Sequence, residues 1–222
     1  MPDYPVISIH VPKASGSSIS LGLRNHFGEG FTTLYNLDPV DPCIPEYIDP
    51  IRYIAAKPVS IEPFQAIHGH FSPRHFDRIE KARRVAMLRE PVDNLVSIYF
   101  FWRKYFDDGN RGHALYEYAM SQKLSLLEFA QLPNLRFLYS KSYFGDFDMS
   151  KFDVIGSYDD RNRYFERVSE LCGCHIDGSI HANKTPTSEE RQILSADSKL
   201  MLSLRTLLSD DIRFFEAHTS SS

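Results

Sequence analysis

The run Val6-Ile7-Ser8-Ile9-His10-Val11-Pro12-Lys13-Ala14-Ser15-Gly16-Ser17-Ser18-Ile19 takes an apolar strand straight into a turn of small and hydroxyl side chains, and then into a helix. A junction of this kind suits phosphate. The first amides of a helix point outward unpaired and carry the positive end of the helix dipole, so an oxyanion placed there gains several hydrogen bonds at once. Lys13 adds a movable positive charge, and Ser15, Ser17 and Ser18 add hydroxyl donors. Gly16 lets the backbone approach without a side chain in the way. The competing reading is an ordinary capped helix after a buried strand, with Lys13 solvated.

The strand-then-helix pattern repeats along the chain. Strand-like runs at Val6–Val11, Phe31–Leu37, Phe64–Phe71, Val85–Leu88 and Phe152–Ser157 alternate with helical patterns at Ser17–Phe27, Asp49–Lys57, Pro73–Lys81, Val92–Phe106, Leu124–Ala130 and Arg161–Leu171. A final pair is expected at Ser188–Leu194 and Ala196–Ala217. This alternation predicts an α/β fold with a central, mostly parallel sheet flanked by helices, and ligands beyond the strand C-termini. The 222 residues read as one domain, residues 1–222, with a disordered tail at about 219–222. Asp38–Pro50 is proline-rich and reads as a surface loop and a wall of the acceptor cleft, and Asp107–Gly112 reads as a polar turn.

The net charge of −4 argues against a general nucleic-acid binder. The basic residues Arg74, Arg78, Lys81, Arg83 and Arg84 are interrupted by acids and apolar residues, so they read as a solvated helix face. Cys43, Cys172 and Cys174 are odd in number, and Cys-Gly-Cys is too close for a usual bridge or zinc pair, so reduced thiols are expected. With neither a leader pattern nor an apolar run near the ~20 residues that span a bilayer, the expectation is a soluble, cytoplasmic protein without a transmembrane segment.

The loop is not a Walker A sequence, because its lysine precedes the glycine. Its Pro-Lys-x-x-Gly-x-Ser order resembles the 5′-phosphosulfate loop of sulfotransferases that use 3′-phosphoadenosine 5′-phosphosulfate (PAPS). The second segment, Val85 to Tyr99, is a buried strand ending in Arg89, then Glu90-Pro91-Val92-Asp93 and a helix that carries Ser97 eight residues after the arginine. That spacing resembles the 3′-phosphate signature of the same superfamily. Taken without the resemblance, Arg89 pairs with Glu90 or Asp93 at the surface and Ser97 bonds its own helix backbone.

The third segment is His68-Gly69-His70 at the end of the middle strand. Strand alternation puts both histidines on one face, and an unperturbed histidine pKa of ~6.5 keeps a proton-accepting form available near pH 7. The sequence resembles the heparan sulfate and uronyl 2-O-sulfotransferase branch, as does the aromatic run Tyr99–Tyr105, most of whose rings read as core packing. The resemblance spans about Val6–Ala217 and is specific only at these three segments.

What the resemblance implies is a three-layer, P-loop-like fold and transfer of a sulfuryl group from PAPS to an acceptor hydroxyl, on a carbohydrate or glycolipid. On it, His70 is the base and Lys13 assists catalysis. Lys13, Ala14, Ser15, Gly16, Ser17 and Ser18 would hold the phosphosulfate, Arg89 and Ser97 the 3′-phosphate, and Lys184 would contact PAPS. His68 and Glu62 would contact the acceptor, with Glu62 or His68 as alternative base. His68, His70 and His75 as a metal site is the minor alternative, and no metal is expected. Ser and Ala replace the loop's common Thr and Gly, and no Arg-Lys-Gly segment lies near the C-terminus. Rival readings are a P-loop-related kinase, for which the lysine is misplaced, and a non-catalytic nucleotide- or carbohydrate-binding protein.

Overall fold

The computed structural model describes residues 4–43, 60–178 and 189–219. Its sheet has five strands, β1 (Val6–His10), β2 (Phe31–Leu34), β3 (Ala66–Gly69), β4 (Arg83–Leu88) and β5 (Val154–Ser157), in the order β2-β3-β1-β4-β5 with every pairing parallel. β1 is central because its side chains are apolar on both faces. Val6, Ile7 and Ile9 are buried, and Ile7 lies opposite Ile67 on one side and Arg84 on the other. At Gly69, a Cβ would lie 1.8 Å from the Leu34 carbonyl oxygen, so only glycine lets β2 close against β3 there.

From β1 the chain builds one half of the sheet, β2 and β3, and then crosses to build β4 and β5. The helices leaving β1 and β4 therefore diverge, which opens a crevice at the strand C-termini. Helix α1 (Gly16–Phe27) leaves β1 after a turn in which Lys13 and Ser15 adopt left-handed φ of 65° and 58°. Helix α2 (Pro91–Asp107) leaves β4 with proline in its first turn, and the Glu90 carboxylate accepts from the Asp93 amide at 2.9 Å. Then come α3 (Ala114–Ser121), α4 (Leu126–Ala130), α5 (Pro133–Arg136) and a wide π-type turn, Leu138–Tyr143. α6 (Arg161–Cys172) follows β5, and α7 (Glu189–Ala196), α8 (Ser198–Leu207) and α9 (Ser209–Thr219) close the chain.

The α/β architecture agrees with the sequence expectation, and all five strand runs form strands. Several helices differ. The helix expected at Pro73–Lys81 is a 3-10 turn, Pro73–Phe76. Beyond it, the carbonyls of Phe76 and Ile79 accept hydrogen bonds from the buried Arg84 guanidinium instead of continuing a helix. Arg83 and Arg84 thus belong to β4, with Arg83 donating to the Leu171 carbonyl, and are no solvated helix face. The long terminal helix is interrupted at Asp197 and Leu208, where the Asp197 carboxylate caps α8 through the Lys199 and Leu200 amides, each at 3.0 Å. Helix α3 and the turn at 138–143 have no counterpart in the sequence reading. The helix expected at Asp49–Lys57 lies outside the described residues, as do Lys184 and the tail from residue 220.

Candidate functional site

A cleft of about 480 Å³ lies beyond the C-terminal ends of β1, β3 and β4. Its floor is the turn after β1. Pro12, Lys13, Ser15, Gly16, Ser17 and Ser18 line it, with Ala14 buried beneath. Ser15 caps α1 without a side-chain hydrogen bond to the helix, and the first residues of α1, at the positive end of its dipole, line the cleft. At Gly16 a Cβ would stand 2.1 Å from His10 Nε2, so glycine is needed for the turn to lie against that imidazole.

Arg89 and Ser97 reach the same cleft from the end of β4 and the second turn of α2. The Arg89 guanidinium sits 4.6 Å from the centre of the Tyr158 ring, and its Nη1 is 3.5 Å from the Lys13 carbonyl oxygen. Arg191 on α7 lines the cleft too. Burial, with the positive charges of Arg89 and Arg191, pulls the Lys13 ammonium down to about 8 from its ordinary 10.5, and Lys13 rests 4.3 Å over the Phe101 ring. Burial and Arg89 also lower Arg191. Cations gathered closely enough to repel one another have a use when a multiply charged anion comes between them.

His70 reaches the same cleft from the end of β3. Its Nδ1 donates to Asp38 Oδ2 at 2.9 Å, while Asp38 Oδ1 accepts from the Tyr143 hydroxyl at 3.1 Å and the Val40 amide at 3.0 Å. The Asp38 pKa is lowered: although its burial acts to raise it, the neighbouring His70 and the hydrogen bonds outweigh that. With Nδ1 bound to a carboxylate, the proton sits on Nδ1 and the lone pair on Nε2. His70 Nε2 is buried without a hydrogen bond, a deficit of ~1–3 kcal/mol that an arriving hydroxyl would relieve.

The other histidines form a packed layer behind it. His68 is fully buried, within 2.9 Å of Ser8 Oγ, and its ring stacks on His10 at 5.0 Å; His10 in turn lies 4.6 Å from His70. Burial, with the charge that His70 can carry, pushes His10 well below 6.5 and His68 down to about 3, so both are neutral in the folded chain. The unfolded chain protonates them near 6.5, so stability is full above that pH and is lost on acidification towards about 3. Each site is worth up to ~1.4 kcal/mol per pH unit in that window. Urea unfolding is expected to show a steeper loss from pH 7 to pH 5 in the parent than in His68→Asn; equal slopes would refute it.

The structure thus brings Lys13, the loop, Arg89, Ser97 and His70 together. His68 is sealed beneath the cleft and does not line it. Glu62 is exposed and precedes β3, at the opposite end of the sheet from the strand C-termini, so it is not placed to contact an acceptor or act as base. Asp38, Tyr143, His113 and Arg191 were not singled out from sequence. Among the described residues, no group of three or more His, Cys, Asp or Glu side chains is placed to hold a metal ion, and no helix is long and apolar enough to cross a membrane.

No family model matches the sequence. No curated protein matches it either. Among solved structures, the chain is similar to a sulfotransferase from Alicyclobacillus acidocaldarius, with 16% sequence identity and a TM-score of 0.43 over 92% of this chain and 96% of that one.

Proposed function

We propose that the protein, acting as one domain, is a sulfotransferase that moves a sulfuryl group from PAPS to an acceptor hydroxyl, most simply on a carbohydrate or glycolipid. The observation that carries this reading is the convergence on one cleft of the α1 amides with Lys13, the Arg89–Ser97 pair, and the Asp38–His70 dyad. The first two suit the two ends of a bisphosphorylated nucleotide. The third suits a hydroxyl nucleophile. The acceptor oxygen forms a bond to sulfur as the bond from sulfur to the 5′-phosphate oxygen breaks; the electron pair leaves on that oxygen, and the acceptor proton passes to His70 Nε2. Lys13 and the loop amides stabilise the charge growing on the departing phosphate. Asp38 stabilises the imidazolium and fixes the tautomer of His70. The unpaired Cys43, Cys172 and Cys174 suit a reducing, cytoplasmic setting.

Calorimetric titration with 3′-phosphoadenosine 5′-phosphate (PAP), beside ADP, tests the donor assignment. PAP is expected to bind much more tightly than ADP, which lacks the 3′-phosphate; no binding of PAP would refute it. Lys13 also sets a pH signature. Above about 8 the empty site holds Lys13 neutral, and the bound phosphates restore its charge, so PAP binding should take up a proton and weaken as pH rises. Titration at pH 9 in buffers of different ionisation enthalpy reads that uptake directly, and enthalpies independent of the buffer would refute it.

A further inference from the structure

The cleft is divided by chemistry into two halves. Lys13, Arg89 and Arg191 supply its cations, among the described residues, and all are at the end where the donor phosphates would sit. Among the described residues its one lining carboxylate, Asp38, is already engaged by His70, Tyr143 and the Val40 amide. The wall beyond His70 is different. Ile98, Phe101, Trp102 and Tyr105 come from one face of α2 at helical spacing, with the Lys13 ammonium resting on Phe101 where this wall meets the donor end, and His113 and Tyr116 face them from the start of α3. Among the described residues lining the cleft, an anionic acceptor beside Trp102 and His113 would meet no cation beyond those the donor engages and would lie near the Asp38 charge, an arrangement that costs free energy on both counts.

His113 is the imidazole of that wall, where the Tyr116 hydroxyl already donates to the Asn110 carbonyl at 3.2 Å. Its Nδ1 accepts the Tyr116 amide at 3.3 Å as the cap of α3, which fixes the neutral ring with its proton on Nε2. The ring is held edge-on to Trp102 at 5.2 Å. Such a histidine donates one hydrogen bond to an oxygen and offers neither a positive charge nor an acceptor.

Resting on the sulfotransferase reading, we propose that the acceptor is an uncharged, hydroxyl-bearing ring, packed against the aromatic wall and held by a hydrogen bond from His113 Nε2, and not a polyanionic chain. Aromatic faces pack well on the apolar face of such a ring, and the His113 donor orients it so that one hydroxyl reaches His70.

The test uses the PAP-loaded protein and two probes that differ only at C6, 4-nitrophenyl β-glucopyranoside with a hydroxymethyl group and 4-nitrophenyl β-glucuronide with a carboxylate. Calorimetry is expected to give at least about ten-fold tighter binding of the glucoside. Equal or tighter binding of the glucuronide, or binding of neither, overturns the proposal. His113→Asn keeps a side-chain oxygen to cap α3 but removes the ring donor. It is expected to weaken the glucoside about five-fold or more with PAP affinity unchanged; an unaltered glucoside affinity removes His113 from the site. Failure of PAP itself to bind shows in the first titration and refutes the donor reading separately. The same glycoside pair titrated into the protein alone then still decides the acceptor claim.

Discussion

Replacing His70 by alanine is expected to lower kcat for sulfuryl transfer by about 10²–10⁴-fold, the usual contribution of a positioned general base, while PAP binds as to the parent. The reason lies in the geometry around the ring. Asp38 holds Nδ1 at 2.9 Å, Tyr143 and the Val40 amide hold Asp38, and the lone pair is left on an Nε2 with no other partner. His70→Gln removes the base while keeping a polar side chain of similar length against His10, so it separates loss of chemistry from loss of packing. Both variants should fall together. Asp38→Asn should lower kcat too, because an amide nitrogen can donate to Nδ1 and so drive the proton onto Nε2, the wrong tautomer for a base. A parental kcat in either His70 variant would sink the assignment, and acceptor sulfation measured with labelled PAPS reads it.

That dyad also marks the limit of what the sequence discloses. That Lys13, Gly16, Arg89, Ser97 and His70 line one cleft is legible because each sits at a fixed offset from a strand end, and clefts in parallel sheets lie beyond the strand ends. Asp38 has no such offset. It lies 32 residues before His70 in a proline-rich stretch, and what brings it there is Tyr143, 105 residues further on. The same π-type turn carries Tyr139, whose hydroxyl donates to the Arg89 carbonyl at 2.8 Å and accepts from Asn94 at 2.7 Å. Asp211 on α9 secures that turn by accepting from the Tyr139 and Ser140 amides, each at 2.9 Å. One short turn thus positions a group on each side of the cleft. Its wide winding has no 3.6-residue periodicity to read, and its polar partners are distant in sequence. Glu62 and His68 fail as acceptor contacts for the converse reason: nearness in sequence to His70 says nothing of which end of the strand, or which depth, a side chain occupies.

Arg89→Ala is expected to weaken PAP binding by about 100-fold, within the ~2–5 kcal/mol that removal of one partner from a desolvated charge pair costs. Arg89 is preorganised in the cleft. Tyr139 fixes its backbone, Tyr158 supports the guanidinium plane, and the Lys13 carbonyl lies within 3.5 Å of Nη1, so little side-chain freedom is lost when a phosphate arrives. A guanidinium grips phosphate through paired N–H groups, which lysine cannot copy, so Arg89→Lys should recover only part of the loss. ADP supplies the control within the same protein. If Arg89 serves the 3′-phosphate, its removal leaves ADP binding nearly unchanged and collapses the preference for PAP. An equal loss for the two nucleotides would move Arg89 to the shared 5′ end. At saturating PAPS, kcat should change little, because a contact far from sulfur is made equally in the ground and transition states. Lys13 should respond as well. Freed from the Arg89 charge, its ammonium regains basicity, and the pH at which PAP binding begins to weaken shifts upward from about 8.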